Sequence, residues 1–289
     1  MKFALFLGCN IPARVKQYES SARAVLDRLA VEVADLTEFK CCGYPLRNLD
    51  FNLYLLFAAR NLALAERLGL DMLTLCKCCY GSLKKAAHLI KEDAAVRKEV
   101  NASLAKEGLA VSGRITVKHF LSVLYHDIGL AAIKEKTTRP FKELSIATHY
   151  GCHALRPSDI MQFDDPVAPH IFDELVAATG SKSVAWATRL ECCGAPLLGV
   201  NDALSMDLTA KKLADGKGAG ANYLCVACPY CQLQFDTVQQ MIVASRGEDY
   251  QLPAILYPQL LGLAMGIDRR ALGLETNKMD ISGIEAFLN

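Results

Sequence analysis

The sequence lacks an excess of charge of either sign: 32 Lys and Arg stand against 31 Asp and Glu, a formal net charge of +1. That balance leaves no basic footprint for nucleic acid and no polybasic segment for a membrane surface, so neither is expected as a partner. Also missing is an apolar run suited to crossing a bilayer. The longest stretch free of charge covers residues 250–267, but Gln251, Pro253, Pro258 and Gln259 interrupt it, and it reads as a buried strand and helix. The opening residues, Met1 to Cys9, lack the long apolar core and small-residue cleavage site of a secretory leader and read as a buried first strand, so the expected location is cytoplasmic. No Walker lysine and no His-Glu-x-x-His pair occurs. The glycines of Gly216-Lys217-Gly218-Ala219-Gly220 precede the apolar run at 223–226 instead of following a strand, the wrong order for a pyrophosphate turn. Neither flavin nor nicotinamide is expected in this chain.

What is present is ample apolar material and an unusual stock of thiols. With 289 residues, 52% hydrophobic and 22% charged, the chain can bury one large domain or two of ordinary size. Its 12 cysteines are too many for chance and too few for a small disulfide scaffold. In a reducing compartment, clustered thiols point to metal.

The cysteines fall into two groups that superimpose. Cys9 maps to Cys152 at an offset of 143, Cys41 and Cys42 map to Cys192 and Cys193 at 151, and Cys76 and Cys79 map to Cys228 and Cys231 at 152. The flanks repeat as well, since Cys41-Cys42-Gly43-Tyr44-Pro45-Leu46 differs from Cys192-Cys193-Gly194-Ala195-Pro196-Leu197 at one position. The main change of length lies in the first loop, 31 residues in one half and 39 in the other; the second interval differs by one residue, 33 against 34. This is an internal duplication. Apolar runs at 3–7, 72–75, 144–147 and 223–226 end close to the cysteines, and helical patterns follow at 52–68 and 202–217. The expected fold is α/β: two tandem repeats of a strand–helix unit with mainly parallel sheets and the cysteines at the carboxyl ends of strands. Residues 92–142 read as a charged, largely helical connector. The boundary is placed near Thr138-Arg139-Pro140, giving domains 1–139 and 140–289, and the tail beyond Leu252 is assigned to neither repeat.

Each half thus offers one lone thiol, one adjacent pair and one C-x-x-C. Structural zinc closes with four tetrahedral ligands, and ordinary cubane clusters also take four cysteines, so a set of five has one too many. Adjacent cysteines before a glycine turn bend poorly round a single ion but reach different irons of a polynuclear centre. A noncubane cluster with a bridging thiolate uses all five, and helix N-termini following the strands suit its negative charge. Structural zinc is the alternative.

With these residues in view, the chain resembles the heterodisulfide reductase B-subunit family, whose members are built from two CCG domains. Beyond the cysteines, the likeness is carried by His149-Tyr150-Gly151-Cys152-His153 with Arg156-Pro157, by Cys228-Pro229-Tyr230-Cys231 and by Tyr257-Pro258-Gln259-Leu260-Leu261-Gly262-Leu263. The resemblance implies that Cys9, Cys41, Cys42, Cys76 and Cys79 hold one noncubane 4Fe-4S cluster, that Cys152, Cys192, Cys193, Cys228 and Cys231 hold a second, and that a mixed disulfide binds between them. It also implies partners: a small ferredoxin-like iron–sulfur subunit, and a flavin-containing subunit that feeds electrons into the complex. In the best-known members the disulfide joins coenzyme M and coenzyme B.

One departure is Cys76-Lys77-Cys78-Cys79, whose extra thiol makes Cys78 an alternative ligand, although the internal repeat favours Cys76 and Cys79. Cys225 is also extra, and both extra thiols read as small buried apolar side chains. His153 adjoins Cys152 and is the candidate catalytic residue, donating a proton to a departing thiolate or a hydrogen bond to a cluster sulfur; packing or capping is the plain alternative. His88, His119, His126 and His170 read as satisfied or exposed. Lys40, Lys77, Arg156 and Arg189 lie near cysteines and are candidates for steering an anionic substrate, against the ordinary role of solvated charge. Each cluster is expected to pass one electron to one sulfur of the disulfide, so that no protein thiol acts as nucleophile. Two other functions remain open: a sulfur-oxidising complex running in the opposite direction, and a passive electron-transfer subunit.

Overall fold

The computed structural model describes residues 1–247 and 251–289; Tyr250, the first residue of the uncharged stretch, lies outside them. Two four-stranded sheets, each wholly parallel, form the framework. The first contains β1 (Lys2–Phe6), β2 (Glu32–Ala34), β3 (Met72–Thr74) and β4 (Val117–His119) in the order β2-β1-β3-β4. The second contains β5 (Ser145–Thr148), β6 (Lys182–Val184), β7 (Tyr223–Val226) and β8 (Ala254–Leu256) in the order β6-β5-β7-β8. The register also repeats: Ala4, Leu5 and Phe6 face Met72, Leu73 and Thr74, as Ile146, Ala147 and Thr148 face Tyr223, Leu224 and Cys225.

Parallel strands need crossovers, and the amphipathic helices supply them while covering the sheets. Phe51–Leu68 and Asp202–Gly218 occupy equivalent places, each starting at a side chain that accepts a backbone N–H: Asp50 from Leu53 and Asn201 from Leu204. The central strands β1, β3, β5 and β7 are buried almost throughout, which explains their uninterrupted apolar runs.

One expectation needs correction. The connector is largely helical, as expected, and also contributes β4. The tail is not outside the repeats, because β8 pairs with β7 as β4 pairs with β3. The strand β4 has three residues, too few to stand out from its surroundings in the sequence, and pairing with a central strand is what fixes it. The uncharged stretch holds β8 followed by the buried helix Tyr257–Ala264, as expected. Among the described residues, no helix is long and apolar enough to cross a membrane. The end of that helix touches the first half, where Arg28 donates to the Met265 carbonyl at 2.9 Å, and Leu288 bridges back to Phe141 within its own half.

Candidate metal centre

In each sheet the strand order reverses between the two central strands, and there the loops at their carboxyl ends diverge to opposite sides. Such a switch point leaves a crevice between adjacent loops. Cys9 follows β1 and Cys76 follows β3, so both are delivered to one crevice; Cys152 after β5 and Cys228 after β7 are delivered to the other. Cys76 and Cys228 each stand at the N-terminus of a helix, which places Cys79 and Cys231 in the first turns, where unpaired N–H groups favour negative charge.

The vicinal cysteines enter from the edge strands through a tight turn. Gly43 (φ 81°) and Gly194 (φ 92°) take left-handed conformations, and a Cβ there would stand 2.7 Å from the Tyr54 carbonyl oxygen or 2.6 Å from that of Ser205. Only glycine allows the turn to lie on the helix in this way. Side chains pin it from beneath: Asn61 accepts from Lys40 N–H at 2.9 Å and donates to the Cys41 carbonyl at 3.1 Å, and Thr209 donates to the Cys193 carbonyl at 3.0 Å.

The result is the same sequence of sulfur contacts twice. In the first half Cys9 meets Cys41, Cys41 meets Cys42, Cys42 meets Cys79 and Cys79 meets Cys76. In the second, Cys152 meets Cys192, Cys192 meets Cys193, Cys193 lies 3.7 Å from Cys231, and Cys231 meets Cys228. Cys41 is held well below the ordinary thiol range by hydrogen bonds from Cys42 and Cys9 and from the Gly43 N–H. Cys192 is lowered in the same way by Cys152, Cys193 and the Gly194 N–H. In both sets thiolate is stabilised at the first cysteine of the vicinal pair, while the second, Cys42 or Cys193, is pushed up to about 12 chiefly by its hydrogen bond to that neighbour. These ten cysteines are the residues that could hold iron–sulfur centres.

The fit to such a group has independent support from His149. This side chain is buried, neither ring nitrogen has a hydrogen-bond partner, and its ring lies with Cys193 and Cys231 in a cluster whose ligand atoms are within 4.8 Å of one another. Orphaned buried nitrogens are costly unless something accepts from them, and a sulfide-bearing centre between these thiols would do so.

The two sets meet. Cys76, Cys78 and Cys228 have sulfurs within 4.8 Å of one another, and Cys78 also approaches His153 Nδ1 at 3.6 Å. Cys78 is therefore more than a filler of apolar space, the reading given by its spacing alone: it lines the hollow at each sulfur set and the cavity between the halves. Cys225, by contrast, is fully buried on β7, and burial pushes its thiol up.

That cavity, about 240 Å³, has Tyr44, Cys78 and His153 at its base and Arg47, Lys85 and Arg156 around it. His153 Nε2 lies 3.0 Å from an Arg47 nitrogen and 3.1 Å from the Tyr44 hydroxyl, and Nδ1 lies 3.3 Å from Cys152 Sγ. A guanidinium can only donate, so Nε2 accepts and Nδ1 carries the proton toward sulfur. Burial and then the Arg47 charge lower the His153 pKa, which keeps the ring neutral. Of the four basic residues singled out in the sequence, Arg156 lines this cavity. Lys77 is buried instead beside the second sulfur set, its Nζ donating to the carbonyls of Tyr150 (2.7 Å) and His149 (3.3 Å). Arg189 pairs with Asp173 at 3.2 Å, and Lys40 is exposed and lines neither the cavity nor the hollows. Sequence reading missed Tyr44, Arg47, Lys85 and Lys212. The signal for Lys212 was available: at the same offset of 151, the first half has Asn61.

Comparison with known proteins agrees with this geometry. The cysteine-rich CCG domain matches twice, over residues 3–84 and 146–236. The B-subunit of the ferredoxin/F420H2-dependent CoB-CoM heterodisulfide reductase of Methanosarcina acetivorans is 38% identical over 280 residues, 96% of this chain and 93% of that protein. Its counterpart in the ferredoxin:CoB-CoM heterodisulfide reductase of Methanosarcina mazei is 38% identical over 281 residues, with 96% and 93% covered. The membrane anchor subunit of the 8-methylmenaquinol:fumarate reductase of Wolinella succinogenes is 31% identical over 96% of this chain and 97% of its own length. Among solved structures, a hypothetical protein from Helicobacter pylori superimposes with a TM-score of 0.75 at 20% identity, covering 97% of this chain and 52% of that one, a likeness of fold. Two CCG domains and relatives matched along nearly their whole length place the chain in the heterodisulfide reductase B-subunit family.

Proposed function

We propose that this chain is the catalytic subunit of a cytoplasmic heterodisulfide reductase complex and reduces a mixed disulfide of the coenzyme M–coenzyme B type. Cys9, Cys41, Cys42, Cys76 and Cys79 would hold one noncubane 4Fe-4S cluster, and Cys152, Cys192, Cys193, Cys228 and Cys231 the other. When bound, these groups supply the two electrons that a disulfide needs to become two thiolates. The observation that carries the reading is that Tyr44 and Cys78 line the hollow at each sulfur set and also the adjoining cavity of about 240 Å³, which His153 shares with the second set.

The chain's own residues bind, orient and protonate. Arg47, Lys85 and Arg156 draw an anionic disulfide into the cavity, and Tyr44 and Arg47 fix the His153 tautomer. His153 Nδ1–H faces the sulfur side and hydrogen bonds to a leaving thiolate. Electrons come from a small ferredoxin-like iron–sulfur subunit, itself supplied by a flavin-containing subunit.

The Wolinella relative, named for a fumarate reductase, favours a second reading in which the chain relays electrons to a partner and reduces no disulfide. Anaerobic iron and sulfide analysis, followed by turnover of a synthetic heterodisulfide with a reduced viologen, separates the two. About eight irons per chain with turnover support the proposal, eight irons without turnover support relay, and a colourless zinc protein refutes both. Cys193→Ser should abolish turnover and halve the iron, and full activity in that variant would refute the scheme.

A further inference from the structure

The sulfur sets are twins, but their surroundings are not. At three positions beside the C-terminal set the chain places a cation or a hydrogen-bond donor, where the equivalent position in the other repeat has a residue with no charge. Lys212, 1% exposed, donates to the Thr188 carbonyl and lies 4.8 Å from the Trp186 ring centroid. Its charge acts on Cys193, on the Glu191 carboxylate, and on Cys231 and Cys192, whereas its repeat equivalent is Asn61. Lys77, 2% exposed, grows from the N-terminal half, yet its ammonium lies against the strand end that leads to Cys152 and acts on Cys231, Cys228 and Cys152. Its equivalent is Pro229, at an offset of 152. His149, with its unpartnered nitrogens, corresponds at an offset of 143 to Phe6.

Resting on the reading that each set holds a cluster, we infer that Lys77, Lys212 and His149 are positioning residues that raise the reduction potential of the C-terminal cluster above that of its N-terminal twin. Reduction adds one electron from an external donor and leaves the site more negative by one charge. A buried ammonium stabilises that state more than the oxidised one, because little water screens it. A donated hydrogen bond to a cluster sulfur acts in the same direction. The electron therefore rests first at the C-terminal set, and the disulfide is drawn between an N-terminal donor side and a C-terminal holding side.

The test is a dithionite titration of the anaerobic, iron-loaded full chain, followed by electron paramagnetic resonance. Two separate midpoints are expected, and the higher one should belong to the signal that Cys193→Ser removes. Lys212→Asn, which installs the first half's own residue, and Lys77→Met should each lower that upper midpoint and leave the lower one in place. Lys212→Arg should hold it. Coincident midpoints, a lower midpoint that moves by as much as the upper, or a Lys212→Arg variant that falls as far as Lys212→Asn would each overturn the inference. A chain that takes up no iron would instead overturn the functional reading on which it rests.

Discussion

Replacing Gly194 by alanine tests whether the vicinal-cysteine turn is as tightly specified as its geometry implies. Two costs combine there. At φ 92° an alanine sits in the left-handed region, a strain of ~1–2 kcal/mol. Its Cβ would also come within 2.6 Å of the Ser205 carbonyl oxygen, which no flexible side chain can relieve. Forcing a methyl into filled space adds ~1–3 kcal/mol, so the variant should lose ~2–5 kcal/mol in all. The strain can be measured separately at Gly220, which has φ 82° but nothing within 4 Å of the added Cβ. Gly220→Ala should therefore lose only ~1–2 kcal/mol. Guanidinium unfolding of both variants, followed by circular dichroism, gives the difference, and iron analysis should show Gly194→Ala holding about half the metal of the parent. Equal losses from the two variants would mean that the turn gives way easily, and the argument for glycine at the paired cysteines would fail.

Two further outcomes follow from the same geometry. Asp50→Ala and Asn201→Ala remove the side chains that cap equivalent helices, and each should cost ~1 kcal/mol in unfolding free energy, against a few tenths for the glycine variants; alanine and glycine variants of equal stability would deny the caps a role. Arg156→Glu reverses an exposed charge at the cavity between the halves, and a disulfide with anionic tails should then show a KM raised about fivefold with kcat little changed, whereas an unchanged KM would remove Arg156 from the binding surface.

The sequence alone determined the duplication, the five-thiol set in each half and the placement of thiols at strand ends. These properties are local: a repeat is read by offset, a buried central strand by its apolar run, and a glycine turn by the residue that permits it. The fourth strand of the first sheet was not legible, because three residues, Val117–His119, carry no period and become a strand only by pairing. Which sulfurs neighbour one another across the halves was left to the tertiary structure. The spacing of Cys78 says nothing of Cys228, 150 residues further on, yet docking of the two crevices brings their sulfurs within 4.8 Å. The same docking sends the Lys77 side chain, which sits between two thiols of one set, into the surroundings of the other. Local chemistry is written along the chain, but the electrostatics of a site belong to whatever the fold packs against it.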